Sequence, residues 1–212
     1  MADSLLMTRP EHDDTTFYLS SWSREVLEVA ENRGLRVFDL HREKANRGEV
    51  EKKLKRFSPK LVVLNGHGDE DTVAGHKDQP LIRAGENDEL LRSMIVYAIS
   101  CRSAKNLGVK SVERGALSYT GYIDDFIFFY EPAQVTRPLA DTTAALFLQP
   151  SQVFTESLLK GNTVAVASER TIARMKQNII ALLGDVSTAR LAGFLWWDMK
   201  NIVSHGRTDA SL

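Results

Sequence analysis

The residues best suited to chemistry in this chain are one histidine and the single cysteine, and each ends an apolar stretch. LVVLN (residues 61–65) runs into GHGD, which contains His67, and MIVYAISC (residues 94–101) ends in Cys101. A cysteine nucleophile needs an imidazole nearby to raise its thiolate fraction, and it needs backbone N–H donors for the oxyanion. His67 would supply the imidazole, and Gly68 leaves its N–H open beside that of Cys101. This set of groups indicates acyl transfer.

The elements that must position these residues alternate between strand and helix. Apolar or β-branched segments predict strands, and segments with apolar residues at helical spacing predict helices. The predicted strands are residues 15–19, 35–40, 61–65, 94–101 and 116–122, and the predicted helices are residues 20–34, 48–58, 87–94 (capped by Asn87 or Asp88) and 103–107. Residues 72–74 and 80–82 are expected to form a small hairpin. Apolar strands separated by helices favour a parallel sheet covered on both faces.

The last third of the chain predicts helices that pack onto the same sheet. Helices are expected over residues 139–160, 170–183 and 187–203, and the two tryptophans of the last one, Trp196 and Trp197, are expected to serve packing. With no repeat or linker, the chain is interpreted as a single domain over residues 1–212. Its core would cover residues 15–130 and its C-terminal helical part residues 139–205.

Strand order can bring the histidine and the cysteine together. The two residues are 34 positions apart, which leaves room for a loop excursion and one crossover helix. In an open α/β sheet, functional groups gather at the carboxyl ends of the strands. If the two strands are neighbours, His67 and Cys101 lie at the same edge.

This paired pattern resembles the caspase-like clan of cysteine peptidases, which includes caspases, metacaspases, legumain, gingipains, clostripain, separase and CHAT domains. LVVLNGHGD and IVYAISC match a strand ending in His-Gly followed by a strand ending in a small residue and Cys. The resemblance covers roughly residues 15–130 and implies a caspase-like three-layer α/β/α sandwich with a mostly parallel central sheet. The extra C-terminal helices lie outside the matched part. It implies His67 and Cys101 as the catalytic dyad of an endopeptidase, and Gly68 and Cys101 as the oxyanion hole. The expected partner is a protein or peptide substrate, and no cofactor is expected.

The segment after the nucleophile bears on specificity. Residues 116–122 lead into Asp124 and Asp125, which is similar to the acidic turn of separase and CHAT-type members. An aspartate at a pocket floor would pair with the charged end of a basic side chain in a selective, charge-assisted bond. The resemblance therefore implies cleavage after Arg or Lys, with Asp124 or Asp125 binding the substrate.

Other interpretations of the same residues remain open. Cys101 could be a buried structural cysteine, His67 a turn residue and the Asp124-Asp125 pair a solvated turn. The fold could also be a latent or inactive interaction module that an activating protein partner assembles. A third alternative is a metal-dependent hydrolase, because carboxylates and imidazoles near His67 suit Zn, Mn or Fe; the nearby groups are Asp69, Asp71, His76 and Asp78. Their spacing matches no closed ligand pattern, so no metal is assigned. His12, His41 and His205 are interpreted as surface residues.

The composition and the charge balance limit which classes of partner and which compartment are expected. The 212 residues carry 27 Lys plus Arg against 28 Asp plus Glu, a net charge of -1, which gives no electrostatic reason to expect nucleic acid or a membrane. The N-terminus lacks the features of a secretory signal. One cysteine cannot form an internal disulfide, and this favours a reducing, cytoplasmic setting.

Overall fold

Residues 3–212 are described by a computed structural model, and their helices and strands alternate along the first half of the chain. The strands are β1 (Ser4–Arg9), β2 (Arg36–His41), β3 (Leu61–Asn65), β4 (Thr72–Ala74), β5 (Pro80–Arg83), β6 (Ile95–Ile99), β7 (Ser118–Tyr122) and β8 (Ile202–Gly206). The α-helices are α1 (Asp14–Asn32), α2 (Arg47–Phe57), α3 (Leu107–Glu113), α4 (Thr142–Leu159), α5 (Val164–Leu183) and α6 (Ala192–Asn201).

Six strands form one mostly parallel sheet in the order β2-β1-β3-β6-β7-β8. All neighbours pair in parallel except β7 and β8, which are antiparallel. The short strands β4 and β5 form the separate antiparallel hairpin that the sequence predicts. This hairpin follows β3, so it stands at the carboxyl edge of the sheet.

Helices cover both faces of the sheet, and this explains why its central strands are apolar on both sides. Leu5, Met7 and Val63 pack on one face with side chains of α1, α4 and α5. Leu6 and Val62 pack on the other face with side chains of α2 and α3. The predicted parallel α/β sheet with two covered faces is confirmed.

The strand predicted at residues 15–19 is wrong, because these residues lie in α1. Asp13 caps that helix: its side chain accepts from the Thr16 N–H, and Thr16 bonds back to the Asp13 N–H. Such reciprocal caps stabilise a helix start more than the local preference of β-branched residues opposes it. The first strand is instead Ser4–Arg9, where every residue is buried, so the sheet begins before residue 15.

Two further elements differ from prediction. The helix expected at residues 103–107 begins only at Leu107, because residues 101–106 form turns. The segment from residue 87 forms only a 3-10 turn over Asp88–Leu91, and Asn87 does not cap it; its amide donates to the Leu81 carbonyl instead.

The C-terminal segment also departs from a purely helical prediction. After α6 the chain extends into β8, which pairs with β7 and forms the outermost strand on that side of the sheet. Trp196 and Trp197 are 51% and 38% exposed, so neither lies in the buried core. They lie on the outer side of α6, which buries Leu195 and Asp198 instead. Among residues 3–212, no helix combines the length and apolarity that a membrane span requires.

Candidate active site at the carboxyl edge of the sheet

The two candidate catalytic residues follow neighbouring strands. In the parallel pair β3 and β6, Asn65 lies opposite Ile99, and His67 and Cys101 each come two residues later. The Gly66 N–H donates to the Ile99 carbonyl at 3.4 Å, so the two chains stay together past the strand ends. The prediction that these strands are neighbours with both ends at one edge is confirmed.

Gly68 lies against the cysteine loop so closely that a side chain would not fit. A methyl group added there would overlap Ser100 Oγ, and it would lie 2.6 Å from the Thr72 carbonyl oxygen and 3.3 Å from that of Cys101. The hairpin holds this position, because the Asp69 N–H donates to Thr72 and the Ala74 N–H donates to His67. These bonds flank Gly68 and leave its own N–H free.

The backbone N–H groups of Gly68 and Cys101 lie just beyond the ends of β3 and β6. In the part of the chain that the structure describes, neither the Gly68 N–H nor the Cys101 N–H donates a hydrogen bond. Both residues are partly exposed, so water or a ligand can reach these N–H groups and satisfy them. Backbone N–H groups without a partner are the donors from which an oxyanion hole can be built, and Gly68 and Cys101 supply two of them just beyond the ends of neighbouring strands.

Asp13 orients His67, a contact that the sequence reading missed. His67 Nε2 lies 2.7 Å from Asp13 Oδ2, while Asp13 Oδ1 caps α1. Burial alone would raise the pKa of Asp13, but bonds from the Thr16 N–H and from His67 outweigh it and hold that pKa below its usual value. An ionised Asp13 accepts from the Nε2–H and leaves Nδ1 of His67 as the basic nitrogen. The DDTT segment carried the cap signal, but the strand predicted there obscured it.

The surroundings of Cys101 favour its protonated thiol form in this conformation. Its Sγ donates to the Phe126 carbonyl at 3.7 Å, and within residues 3–212 no hydrogen bond joins it to His67. Burial raises the pKa of the Cys101 thiol, and the negative charge of Asp125 adds to this, although the Phe126 bond and Arg102 oppose it. A raised pKa lowers the fraction of reactive thiolate at neutral pH.

The two acidic residues of the predicted pocket have different surroundings. Asp125 pairs with Arg102, whose Nε lies 2.8 Å from Asp125 Oδ1, and both side chains are about half exposed (50% and 44%). Asp124 is engaged in its own turn, because its Oδ1 accepts from the Asp125 N–H and its carbonyl accepts from the Arg102 N–H. The guanidinium that pairs with Asp125 in this structure is therefore that of Arg102 in the same chain.

Two side chains of helix α6 bond to the backbone of the acidic segment, residues 124–127. Trp197 Nε1 donates to the Asp125 carbonyl at 3.1 Å, and the Ile127 N–H donates to Asp198 Oδ1 at 3.0 Å. Asp198 is fully buried, and within the described chain its Oδ2 has no hydrogen-bond partner. Burial raises the pKa of Asp198 well above its ordinary value, with the Ile127 bond opposing. The sequence offered no sign of this buried acid.

Asp198 should give the protein an unusual dependence of stability on pH. Because its folded-state pKa is raised, the folded chain keeps a proton that the unfolded chain releases above about pH 4. The free energy of unfolding should therefore fall by about 1.4 kcal/mol per pH unit from that point up to the folded-state pKa, as far as this residue is concerned. Asp198→Asn should remove this slope and be the more stable variant at pH 7.

Urea denaturation of both proteins at pH 5, 6 and 7 measures this difference. Asp185→Asn is the control, because Asp185 is exposed and bonds from Ser187 lower its pKa. A stability difference between wild type and Asp198→Asn that is the same at all three pH values would contradict a protonated Asp198.

A second group of polar side chains surrounds His67. His12 Nε2 lies 3.2 Å from Asp78 Oδ1 and 3.8 Å from Asp13 Oδ2. Ligating atoms of His12, His67 and Asp78 all lie within 4.8 Å of one another. The interpretation of His12 as a surface residue is wrong, since its side chain is only 12% exposed.

The other predicted metal candidates and surface histidines lie elsewhere or play other parts. Asp69 bonds to the Asp71 N–H, and the Asp71 carboxylate accepts from Asn106. His76 contacts the edge of the His12 ring, with ring centroids 5.7 Å apart. His41 pairs with Glu11, and His205 bonds to the Ala104 carbonyl. Of the four residues weighed in the sequence, only Asp78 joins the group around His67.

Fold and site define an α/β protein with a mostly parallel six-stranded sheet and a histidine, a cysteine and two free N–H donors at its carboxyl edge. No protein-family model matches the chain, and no curated protein matches it either.

Proposed function

We propose that the protein is a cysteine endopeptidase of the caspase-like type that cleaves after Arg or Lys. The observation that carries this proposal is the pair of free N–H donors, Gly68 and Cys101, beside the only thiol of the chain. A structural cysteine needs no such donors. A tetrahedral oxyanion formed by attack of that thiol would need both.

The proposed reaction proceeds in two stages. The Cys101 thiol passes its proton to His67 as Sγ bonds to the peptide carbonyl carbon, and the carbonyl oxygen takes the negative charge. The C–N bond then breaks, and His67 gives its proton to the leaving amine. Water next attacks the thioester, and one of its protons moves through His67 to the departing sulfur. The acid product gives its remaining proton to solvent and leaves as a carboxylate. Asp13 is the positioning residue for His67, because it takes no part beyond holding the imidazole.

Asp125 is the proposed reader of the basic substrate side chain. Its carboxylate already binds a guanidinium, that of Arg102, so its charge and access suit a substrate arginine that would take the same place. Asp124 is less suited, since its Oδ1 is committed to the Asp125 N–H.

A latent form is the second candidate, and two observations favour it. The thiol is bonded to the Phe126 carbonyl, and the candidate pocket acid is paired with Arg102. Activation by a partner or a substrate would then have to free both groups. The latent form differs from a dead module, in which no substrate or partner would ever make Cys101 reactive.

Cleavage of fluorogenic peptides that end in Arg, Lys, Asp or Leu tests the assignment of specificity. We expect cleavage after Arg and Lys, and Asp125→Asn should lower kcat/KM for the Arg peptide roughly 30- to 150-fold, the equivalent of about 2–3 kcal/mol for a charge-assisted bond. Asp124→Asn is the matched control, because an asparagine keeps the oxygen that accepts from the Asp125 N–H. Arg102→Gln should lower KM, since it frees Asp125.

An electrophilic probe separates latency from absence of function. A peptidyl-arginine chloromethyl ketone should alkylate Cys101 faster than iodoacetamide does, and Asp125→Asn should remove the difference. The proposal fails if no peptide is cleaved and the arginine probe reacts with Cys101 no faster than with a free thiol in solution.

A further inference from the structure

We propose that His12, His67, Asp13 and Asp78 form a binding site for Zn²⁺, and that zinc bound there takes His67 out of the catalytic dyad. The first part stands on the geometry of these four side chains. The second part rests on the proposed peptidase function.

The distances between the candidate ligand atoms fit a small tetrahedral ion. Zinc binds imidazole nitrogen and carboxylate oxygen at about 2.0–2.2 Å, which places tetrahedral ligand atoms roughly 3.3 Å apart. Here His67 Nε2 lies 2.7 Å from Asp13 Oδ2, His12 Nε2 lies 3.2 Å from Asp78 Oδ1, and His12 Nε2 lies 3.8 Å from Asp13 Oδ2. Atoms of His12, His67 and Asp78 lie within 4.8 Å of one another, so these three would have to close around the ion. Asp13 Oδ2, which lies 2.7 Å from His67 Nε2 and 3.8 Å from His12 Nε2, would then turn inward as the fourth ligand.

The ligands come from segments that are held in place by other bonds. His12 and Asp13 form the turn from β1 into α1, where the His12 N–H donates to Thr16 Oγ1 and Asp13 Oδ1 caps the helix. Asp78 lies in the hairpin turn, where its N–H donates to the Gly75 carbonyl. Only Asp13 Oδ2 remains to face the two histidines. Anchored loops of this kind pre-organise a metal site.

The donor set selects among metals. Two imidazoles and two carboxylates suit Zn²⁺, whereas Ca²⁺ and Mg²⁺ prefer all-oxygen shells. The two carboxylates balance the charge of the ion. His12 is almost buried, with 12% of its side chain exposed, while Asp78 is 62% exposed and leaves the ion a path from solvent.

Metal on His67 would stop proton transfer by that ring. When Nε2 binds zinc, its proton leaves and the remaining ring proton sits on Nδ1. An imidazole that holds a metal on one nitrogen and a proton on the other cannot accept a further proton. It therefore cannot take the proton of the Cys101 thiol or deliver one to the leaving amine.

Cobalt titration tests the site without any activity measurement. Co²⁺ as a probe should give the visible absorption of a tetrahedral N/O site, with one equivalent bound and displaced by Zn²⁺. The Cys101→Ala protein should give the same spectrum. His12→Ala and Asp78→Asn should each weaken Zn²⁺ binding at least about tenfold. His76→Gln is the matched control and should bind as wild type does, because its ring contacts His12 without joining the ligand group.

Three results would overturn the site: no stoichiometric binding of Co²⁺ or Zn²⁺, equal affinity in His12→Ala, or a thiolate-to-cobalt charge-transfer band that is lost in Cys101→Ala.

Inhibition is tested separately on cleavage of the arginine peptide. Micromolar Zn²⁺ should inhibit wild type, a chelator should restore its activity, and His12→Ala should need at least about tenfold more zinc. Activation by zinc, or loss of activity on chelation, would overturn inhibition and favour a metal-dependent hydrolase. Failure of the peptidase proposal leaves the cobalt and zinc binding results unaffected.

Discussion

Cys101→Ala is expected to lower kcat for an arginine-ending peptide by at least about 10³-fold, and His67→Ala by a similar factor. The first change removes the atom that attacks the carbonyl. The second removes the group that accepts the thiol proton and protonates the amine. Formation of the thiolate and departure of the amine should therefore both be slower. Steady-state and single-turnover kinetics on the purified variants measure both effects.

The double variant distinguishes a working dyad from two independent contributions. Residues that act as a unit are strongly non-additive, so Cys101→Ala/His67→Ala should be about as slow as either single variant. Asp13→Asn should lower kcat less than either dyad variant does. Its amide keeps an oxygen for the Thr16 N–H but loses the charge that orients His67. If the double variant loses the product of the two single effects, or if Cys101→Ala retains most of the activity, then the dyad assignment is wrong.

Gly68→Ala is expected to have the second largest effect, on both activity and stability. The added methyl group would overlap Ser100 Oγ and press on the Thr72 carbonyl, which is backbone and cannot rotate away. Overpacking of this kind costs about 1–3 kcal/mol of unfolding free energy. The loop movement that relieves it would displace the Gly68 N–H, and loss of one oxyanion donor lowers kcat by about 10²- to 10³-fold.

Two further variants separate the clash from the lost donor. Ser100→Ala in the Gly68→Ala background removes the Ser100 Oγ overlap but not the Thr72 contact, so it should recover part of the stability and little of the activity. Gly193→Ala is the control for stability, because nothing lies within 4 Å of a methyl group there and the residue is in α6; it should stabilise the helix by up to about 1 kcal/mol. Full activity in Gly68→Ala would remove this glycine from the proposed oxyanion hole.

The central strands and the order of the site were predictable because their signal is local. β3 is the predicted segment without change, β6 and β7 lie within the predicted ones, and the hairpin lies where its turn residues indicate. A strand buried on both faces needs a continuous apolar run, and such a run can be read from the sequence alone. That His67 and Cys101 end two such strands was therefore visible, and parallel pairing places both at one edge.

What the sequence left open depends on partners that are distant along the chain. Residues 15–19 have strand-forming side chains, but they join a helix because Asp13 caps it and because Tyr18 and Trp22 pack against the sheet. Strand β8 forms by pairing with β7, which lies at least 80 residues earlier in the chain.

The surroundings of the candidate site have the same origin. Asp13 beside His67, Arg102 on Asp125 and Asp198 behind the acidic segment are contacts made by side chains on different loops and helices. No spacing rule in the sequence encodes such contacts, since folding decides which loops meet at the edge of the sheet. The sequence alone determined which residues can react and on which strands they stand. Only tertiary packing decided which charges orient, pair with or shield them, because a group's protonation state depends on burial and on neighbouring charges that folding brings together.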